Sequence, residues 1–182
     1  MSFEEIRVIT VVYLAVFLPL FIYFTNKSKL PNWIPTLYIV GVAVCALGWE
    51  LWFTYGWIDG YSVDIRRSEA LNTWLPKNTN WLMNSMGDAG SVLLGGVWLM
   101  WLTHPKDAII FKKWSWSAFT VLFFWCISQN ILVEMFLYHD QLANGKPLSW
   151  APLSPLGPYF NPILFEYNDR TIMLQSQMPW LI

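Results

Sequence analysis

The chain has 182 residues, of which 55% are hydrophobic and only 13% are charged, and its formal net charge is -1. A soluble domain of this size needs a charged coat that so few ionisable residues cannot build, so the composition excludes an ordinary water-soluble protein. The near-neutral charge, with no basic patch, gives no reason to expect nucleic acid as a partner. The length fits a single domain, residues 1–182.

Four apolar segments are each long enough to cross the hydrocarbon core of a bilayer, which takes about 20 residues. Within lipid such a segment must be helical, because its backbone N–H and C=O groups find partners only inside the segment. The sequence therefore predicts an all-α integral membrane protein with four transmembrane helices, at about residues 6–24, 33–57, 81–103 and 114–138.

Lysines in the two short connecting loops set the predicted orientation. These loops, residues 25–32 and 104–113, carry Lys27, Lys29, Lys106, Lys112 and Lys113. The positive-inside rule places both loops in the cytoplasm. The N-terminus, the outer loop (residues 58–79) and the tail (residues 139–182) then face the periplasm, if the membrane is a bacterial inner membrane, or the lumen of the endoplasmic reticulum.

The outer loop and the tail are predicted to be ordered. The outer loop should include a short helix that ends near Pro76, and the tail should form an irregular cap, because aromatic residues punctuate its many prolines. The last stretch, residues 162–182, is half apolar but also contains Glu166 and Asp169. It is expected to be either a fifth helix packed inside the bundle or a segment at the membrane interface.

Polar side chains recur on one face of three predicted helices. They are Glu50 on the second, Asn80, Asn84, Asp88 and Ser91 on the third, and Asn130, Glu134 and Tyr138 on the fourth. Spacings of three and four residues place side chains on one stripe of a helix. With a rise of 1.5 Å per residue, the three stripes reach one depth in the outward-facing half. The sequence therefore predicts a polar cluster inside the bundle at that depth.

The carboxylic acids Glu50, Asp88 and Glu134 carry the predicted chemistry. Each costs on the order of 2.5–3.5 kcal/mol in a membrane, so all three should face inward. Burial and mutual repulsion favour the neutral form, and at least one acid should be protonated near neutral pH. A protonated acid beside an ionised one forms a general acid/base pair, which Asn84 and Asn130 would orient.

Two other interpretations of the cluster stay open at this point. Amide and carboxyl groups within membranes also link helices by hydrogen bonds. A cation site built from the carboxylates and His139 is the second alternative, but the chain has only two histidines and neither stands in a zinc or di-iron spacing. No metal and no cofactor are therefore predicted.

Short motifs along residues 40–141 carry a family resemblance. They are Gly48-Trp49-Glu50, then Asp88 followed by Gly95-Gly96 and His104-Pro105, then Asn130 and Glu134 four residues apart. In order and spacing they resemble the emopamil-binding, or EXPERA, family of small membrane proteins, which includes sterol Δ8-Δ7 isomerases. The family's isomerases have a histidine one turn before the first glutamate, where this chain has Ala46.

A weaker resemblance, through the Trp49-Glu50 pair and Asp88, is to integral membrane terpene cyclases. Both resemblances imply acid-initiated carbocation chemistry on an isoprenoid lipid. Such a cation needs aromatic faces and anions around it. The predicted substrate-binding residues are Trp49, Trp52, Tyr55, Asn84, Trp125, Asn130, Tyr138 and His139.

The sequence thus predicts a membrane isomerase or cyclase that transfers protons on an isoprenoid- or sterol-like lipid, with Glu50, Asp88 and Glu134 as catalytic residues. Its partners would be this lipophilic substrate and membrane lipid. The alternatives are a non-catalytic protein that binds or transports a lipid, sterol or cation, and an accessory subunit of a membrane complex. A fixed copurifying partner would favour the subunit.

Overall fold

A computed structural model of the chain describes residues 1–56, 62–104, 108–137, 159, 162–167, 170–174 and 177–178. This part of the molecule is mostly helical. In chain order it contains α1 (Phe3–Asn26), α2 (Ile34–Leu47), α3 (Trp49–Tyr55), α4 (Val63–Arg66), α5 (Glu69–Trp74), α6 (Lys77–Gly87), a π-helical segment (Asp88–Leu94), α7 (Gly95–Thr103), a 3-10 turn (Ala108–Phe111), α8 (Trp116–Phe136), β1 (Ile163–Tyr167) and β2 (Arg170–Met173).

Helix α1 covers the first predicted span and begins with a capping box. Ser2 accepts a hydrogen bond from the Glu5 backbone, and the Glu5 carboxylate accepts one from the Ser2 backbone at 2.6 Å. These bonds satisfy two of the amides that a helix start leaves without partners. Val8, Val12 and Val16 form a buried stripe at a spacing of four, while the other faces of α1 present exposed apolar side chains. Such a surface suits contact with lipid.

The second predicted span is divided into two helices by Gly48. Helices α2 and α3 meet at an angle of 49°, so the prediction of one helix over residues 33–57 is wrong. A Cβ atom at Gly48 would lie 2.6 Å from the carbonyl oxygen of Val44, which no side chain tolerates. Glycine thus permits the break, and the break places Glu50 in the first turn of α3.

The third predicted span is longer than expected and changes its winding part-way. Helix α6, the π-helical segment and α7 follow one another without a gap, and the backbone stays right-handed helical at both junctions. The helix begins at Lys77, directly after Pro76, so the last residues of the outer loop are helical. Asp88 opens the π-helical segment. Such segments widen a helix by one residue and are frequent at functional sites.

This third element lies at the centre of the described packing. Helices α1 and α2 pack against both α6 and the π-helical segment, α3 packs against α6, and α8 packs against α7. A buried apolar cluster joins the α1 stripe to the outer loop and the helices beside it, and its members are Val8, Val12, Val16, Leu71, Leu75, Met83 and Leu137. The outer loop is therefore fixed to the bundle by its own core residues. Its short helix α5 ends before Pro76, as predicted.

Two helices, α1 and α8, are long and apolar enough to cross a membrane. The bent pair of α2 and α3 adds a third span if the two helices are taken together. This assessment concerns length and composition within the described residues. The chain thus carries candidate membrane-spanning helices, as expected for an integral membrane protein.

The end of the chain contains a β-hairpin instead of the helix considered for residues 162–182. Strands β1 and β2 pair antiparallel, with Tyr167 opposite Arg170, and β2 packs against α8. The expected fifth helix is therefore wrong for the described residues, and the fold is not purely α. Isoleucine, phenylalanine, tyrosine and threonine favour strands, and the sequence Asn168-Asp169 between them favours a turn. Pro162 further disfavours a helix through this segment.

Candidate functional site

Glu50 is the most deeply buried carboxyl group of the predicted set. It lies in the first turn of α3 and is only 3% exposed. One turn later on the same helix, the Thr54 hydroxyl donates a hydrogen bond to Glu50 Oε2 at 3.1 Å. A buried carboxylate is tolerated only when donors satisfy its oxygens, and Thr54 is the first of these donors.

A series of hydrogen bonds connects Thr54 to the outer loop. The guanidinium of Arg67 donates to Asn80 Oδ1 at 2.8 Å, and Asn80 Nδ2 donates to Thr54 Oγ1 at 3.4 Å. Thr54 and Asn80 are fully buried, and Arg67 is 5% exposed. We call the three residues Arg67, Asn80 and Thr54 the Arg67 network. The network connects the Arg67 cation to Glu50 through the side chains of Asn80 and Thr54.

Arg67 is held in place by the outer loop itself. Its Nε atom donates to Asn72 Oδ1 at 2.7 Å, and another nitrogen donates to the carbonyl oxygen of Leu75. Asn72 in turn donates to the backbone of Asp64. Burial lowers the pKa of Arg67 to about 10, so the side chain keeps its charge at neutral pH.

Arg66 supplies a second buried cation beside the first. Its side chain is fully buried, donates to the carbonyl oxygen of Phe53, and lies 5.1 Å from the centre of the Phe53 ring. Burial, and then the neighbouring charge of Arg67, lower the pKa of Arg66 to about 10. Its positive charge acts on the carboxylate of Glu50. Neither arginine was predicted as part of the site.

Asp88 reaches the same region from the π-helical segment. Trp49 Nε1 donates to Asp88 Oδ2 at 2.9 Å. Because Trp49 directly precedes Glu50, this bond ties Asp88 to the start of α3. Asp88 is only partly buried, unlike Glu50. The structure therefore brings together two carboxyl groups from two helices.

The charges of Glu50 and Asp88 act on each other. Two neighbouring carboxylates repel if both are ionised, which favours a single proton on the pair. Asn84 faces the Glu50 carboxyl group closely enough to stabilise its charge, although its amide nitrogen makes no hydrogen bond of normal geometry. The sequence predicted the approach of Glu50, Asp88 and Asn84.

Asn130 and Glu134 form a different hydrogen-bonded group. Asn130 Nδ2 donates to Gln177 Oε1 at 2.7 Å, and Gln177 Nε2 donates to Glu134 Oε2 at 2.7 Å. All three side chains are at most 5% exposed. We call them the Gln177 clamp. The clamp joins the end of the chain to the C-terminal part of α8, so Asn130 and Glu134 of the predicted cluster also contact the tail.

The remaining predicted aromatic residues differ in their surroundings. Tyr55 donates its hydroxyl to Asn78 at 3.0 Å and is 37% exposed. Trp125 donates to the carbonyl oxygen of Val92 at 2.9 Å and packs against Gly95. Trp52 is half-buried on α3. In the described part of the structure, Trp49 is the predicted aromatic residue that contacts a carboxyl group of the Glu50–Asp88 pair, through its hydrogen bond to Asp88.

Two predicted site residues, Tyr138 and His139, lie outside the described residues. Within the described ranges, no three side chains of histidine, cysteine, aspartate or glutamate are close enough together to hold a metal ion. Comparison of the chain with protein-family models, curated proteins and solved structures finds no significant match. The family resemblance of the sequence motifs therefore stays a hypothesis, and the geometry carries the functional argument.

Proposed function

We propose that the chain is a membrane-embedded isomerase or cyclase that moves protons on an isoprenoid- or sterol-like lipid. The Glu50–Asp88 pair carries this proposal. Of two adjacent carboxyl groups with one proton between them, one can add a proton to an olefin and the other can remove a proton from the resulting carbocation. The double bond then has a new position, or a ring has closed. Atoms and charge balance without a cofactor.

The surroundings of the pair suit a carbocation. The Trp49 indole stands beside Asp88, and Trp52 lies on the same short helix. Aromatic faces stabilise a cation by up to about 2 kcal/mol when water is excluded. The 3% exposure of Glu50 keeps water, which would capture a carbocation, away from that carboxyl group. The motif resemblance to sterol isomerases and terpene cyclases names the same positions, Glu50 and Asp88.

The proposal includes four membrane crossings. These are α1, the bent pair of α2 and α3, the continuous helix from Lys77 to Thr103, and α8. The third crossing has a polar outer end, because α6 begins with Lys77 and Asn78 and contains Asn80. It is shielded there by α1, α2 and α3, which pack against α6. Both chain ends, the outer loop and the carboxyl pair would then lie on the periplasmic or lumenal side.

Cysteine labelling tests this topology. In a variant with alanine at Cys45 and Cys126, single cysteines are introduced as Glu4→Cys or Lys29→Cys. A membrane-impermeant thiol reagent applied from outside should label the first variant and not the second. The reverse pattern would contradict the orientation, and labelling of both from one side would contradict the crossing of α1.

An activity assay tests the catalytic proposal. The purified protein is incubated with a panel of olefinic lipids (a linear polyprenol, squalene and a Δ8 sterol), and isomers or cyclised products are identified by mass spectrometry. Glu50→Gln and Asp88→Asn should each abolish conversion of any lipid that reacts. Asp64→Asn, a carboxyl replacement in the outer loop, is the matched control and should keep activity.

The same experiment distinguishes the enzyme from a binding protein. Native mass spectrometry of the gently solubilised protein reports which lipid is retained. Retention of a panel lipid without any conversion would overturn the catalytic proposal and favour a lipid-binding protein. Full activity in both Glu50→Gln and Asp88→Asn would show that the pair does not act in the reaction.

A further inference from the structure

The two short connecting loops concentrate positive charge at one end of the bundle. Residues 25–32 and 104–113 together contain five lysines and one aspartate. Four of these lysines lie in described parts of the chain, and all four are exposed. We call them the lysine patch, and its members are Lys27, Lys29, Lys112 and Lys113.

Contacts within and between the loops hold the two halves of the patch together. A backbone hydrogen bond of 2.8 Å, accepted by the carbonyl oxygen of Asn26, closes a turn directly after α1. In the second loop, a 2.9 Å hydrogen bond between His104 and Ser117 joins the end of α7 to the first turn of α8. The two loops meet where the rings of Trp33 and Phe111 pack with their centres 5.4 Å apart. The lysines of both loops therefore occupy the same end of the bundle.

The described residues supply no acidic partner for the lysine patch. At this end of the bundle, residues 23–34, 100–104 and 108–117 contain no aspartate or glutamate, and Asp107 lies outside the described residues. At the opposite end of the continuous third helix, by contrast, Lys77 is paired with Asp64 at 3.1 Å. Within the described ranges, none of the four lysines of the patch forms such an ion pair. Their charges can therefore act on a ligand outside the chain.

The patch is attached to the two helices that are long and apolar enough to cross a membrane. Lys27 directly follows α1, and Lys113 stands three residues before the start of α8. The two loops are also flanked by exposed indole rings, which favour the headgroup region of a bilayer, and these belong to Trp33, Trp114 and Trp116. The ammonium groups are therefore held at the level of the lipid phosphates, which favours a lipid leaflet over a soluble acidic partner.

We propose that the lysine patch binds the headgroups of anionic phospholipids in the leaflet that it faces. Each ammonium group offers three N–H donors and a full charge to phosphate oxygens. A zwitterionic headgroup carries its own cation, which cancels the phosphate charge and repels the patch, so the patch selects lipids by net charge. In the predicted orientation this leaflet is the cytoplasmic one, which is rich in anionic lipids. The binding does not require any reaction at the Glu50–Asp88 pair.

Competition between two lipids tests this proposal. The full chain is purified in detergent with equal amounts of phosphatidylglycerol and phosphatidylcholine of the same acyl chains, and native mass spectrometry counts the lipids that stay bound. At low ionic strength phosphatidylglycerol should be retained in at least about a fivefold excess, which is the effect of one lysine near an anionic surface. The excess should shrink as added salt screens the charges. A variant with all four lysines of the patch replaced by glutamine should retain the two lipids equally.

Matched variants separate the charge of the patch from charge elsewhere on the chain. Lys29→Gln should lower the excess by up to about fivefold, whereas Lys77→Gln, at the other end of the bundle, should leave it unchanged. Lys112→Arg with Lys113→Arg keeps the charge and should keep the excess. If the fourfold variant does not insert, Lys29→Gln and the salt series on the unmodified protein decide. Equal retention of both lipids by the unmodified protein, an undiminished excess in the folded glutamine variants of the patch, or an equal loss in Lys77→Gln would overturn the proposal.

Discussion

Gln177→Met tests whether the Gln177 clamp holds the end of the chain against α8. Methionine has a similar length, so the substitution removes the two 2.7 Å hydrogen bonds to Asn130 and Glu134 while keeping most of the packing. A neutral hydrogen bond contributes about 0.5–1.5 kcal/mol, and one to a charged group about 1.5–3 kcal/mol. The free energy that docks the hairpin should therefore fall by about 2–4 kcal/mol.

Hydrogen–deuterium exchange measures this loss directly. Every 1.4 kcal/mol corresponds to about a factor of ten, so amides of β1 and β2 should exchange at least about 30 times faster in Gln177→Met. Gln129→Met is the matched control, because among the described residues Gln129 donates within its own helix, to Cys126. Unchanged hairpin protection in Gln177→Met, or the same loss in the control, would refute the role of the clamp.

Three further predictions concern packing, charge and the carboxyl pair. Gly90→Ala should lower the free energy of unfolding by about 1–3 kcal/mol in thermal or denaturant unfolding, because the added Cβ would lie 3.1 Å from the rigid Pro19 ring. Gly95→Ala is the control. Its Cβ would lie 3.4 Å from the nearest atom of Trp125, so the free energy of unfolding should change little. Burial raises the pKa of Asp64, but hydrogen bonds from Ser62 and Lys77 prevail and lower it. The stabilising contribution of Asp64 is therefore present at neutral pH and lost as the pH falls through the lowered pKa. Lys77 and Asp64 are 35% and 38% exposed, so solvent screens their ion pair. Asp64→Asn should therefore lower the free energy of unfolding by less than about 1 kcal/mol at neutral pH and leave it unchanged in acid, as measured by denaturant unfolding. Trp49→Phe keeps a ring but removes the donor to Asp88, and conversion of any reactive lipid should slow by about 10- to 100-fold in a rate assay.

The sequence predicts those parts of the fold that depend on local composition. The long apolar segments of the sequence predict α1 and α8. The positions of Glu50, Asp88 and Asn84 along two neighbouring helices predict that these three side chains lie close together. The break at Gly48 depends on a single close contact with the Val44 carbonyl, which composition does not reveal. A glycine two residues before a glutamate in an apolar run is the signal that could have indicated it.

The remaining features depend on contacts between distant parts of the chain. Arg67 meets Asn80 only because the outer loop folds back onto α6, and Gln177 meets Glu134 only because the hairpin packs on α8. Helical periodicity places Asn80 on the polar stripe but says nothing of its partner. The assignment of Glu134 to the same cluster as Glu50 followed from depth alone, whereas hydrogen bonds join Glu134 to the clamp.

Uptake of solvent deuterium onto carbon reports proton transfer by the Glu50–Asp88 pair. An acid/base pair that shares its proton with water leaves deuterium on carbon when an olefinic lipid is incubated with the protein in D₂O, even where substrate and product are the same compound. We expect deuterium on carbon with the unmodified protein and none with Asp88→Asn or Glu50→Gln. A retained lipid that gains no deuterium from the unmodified protein, or one that gains it equally with both variants, would contradict proton transfer by the Glu50–Asp88 pair.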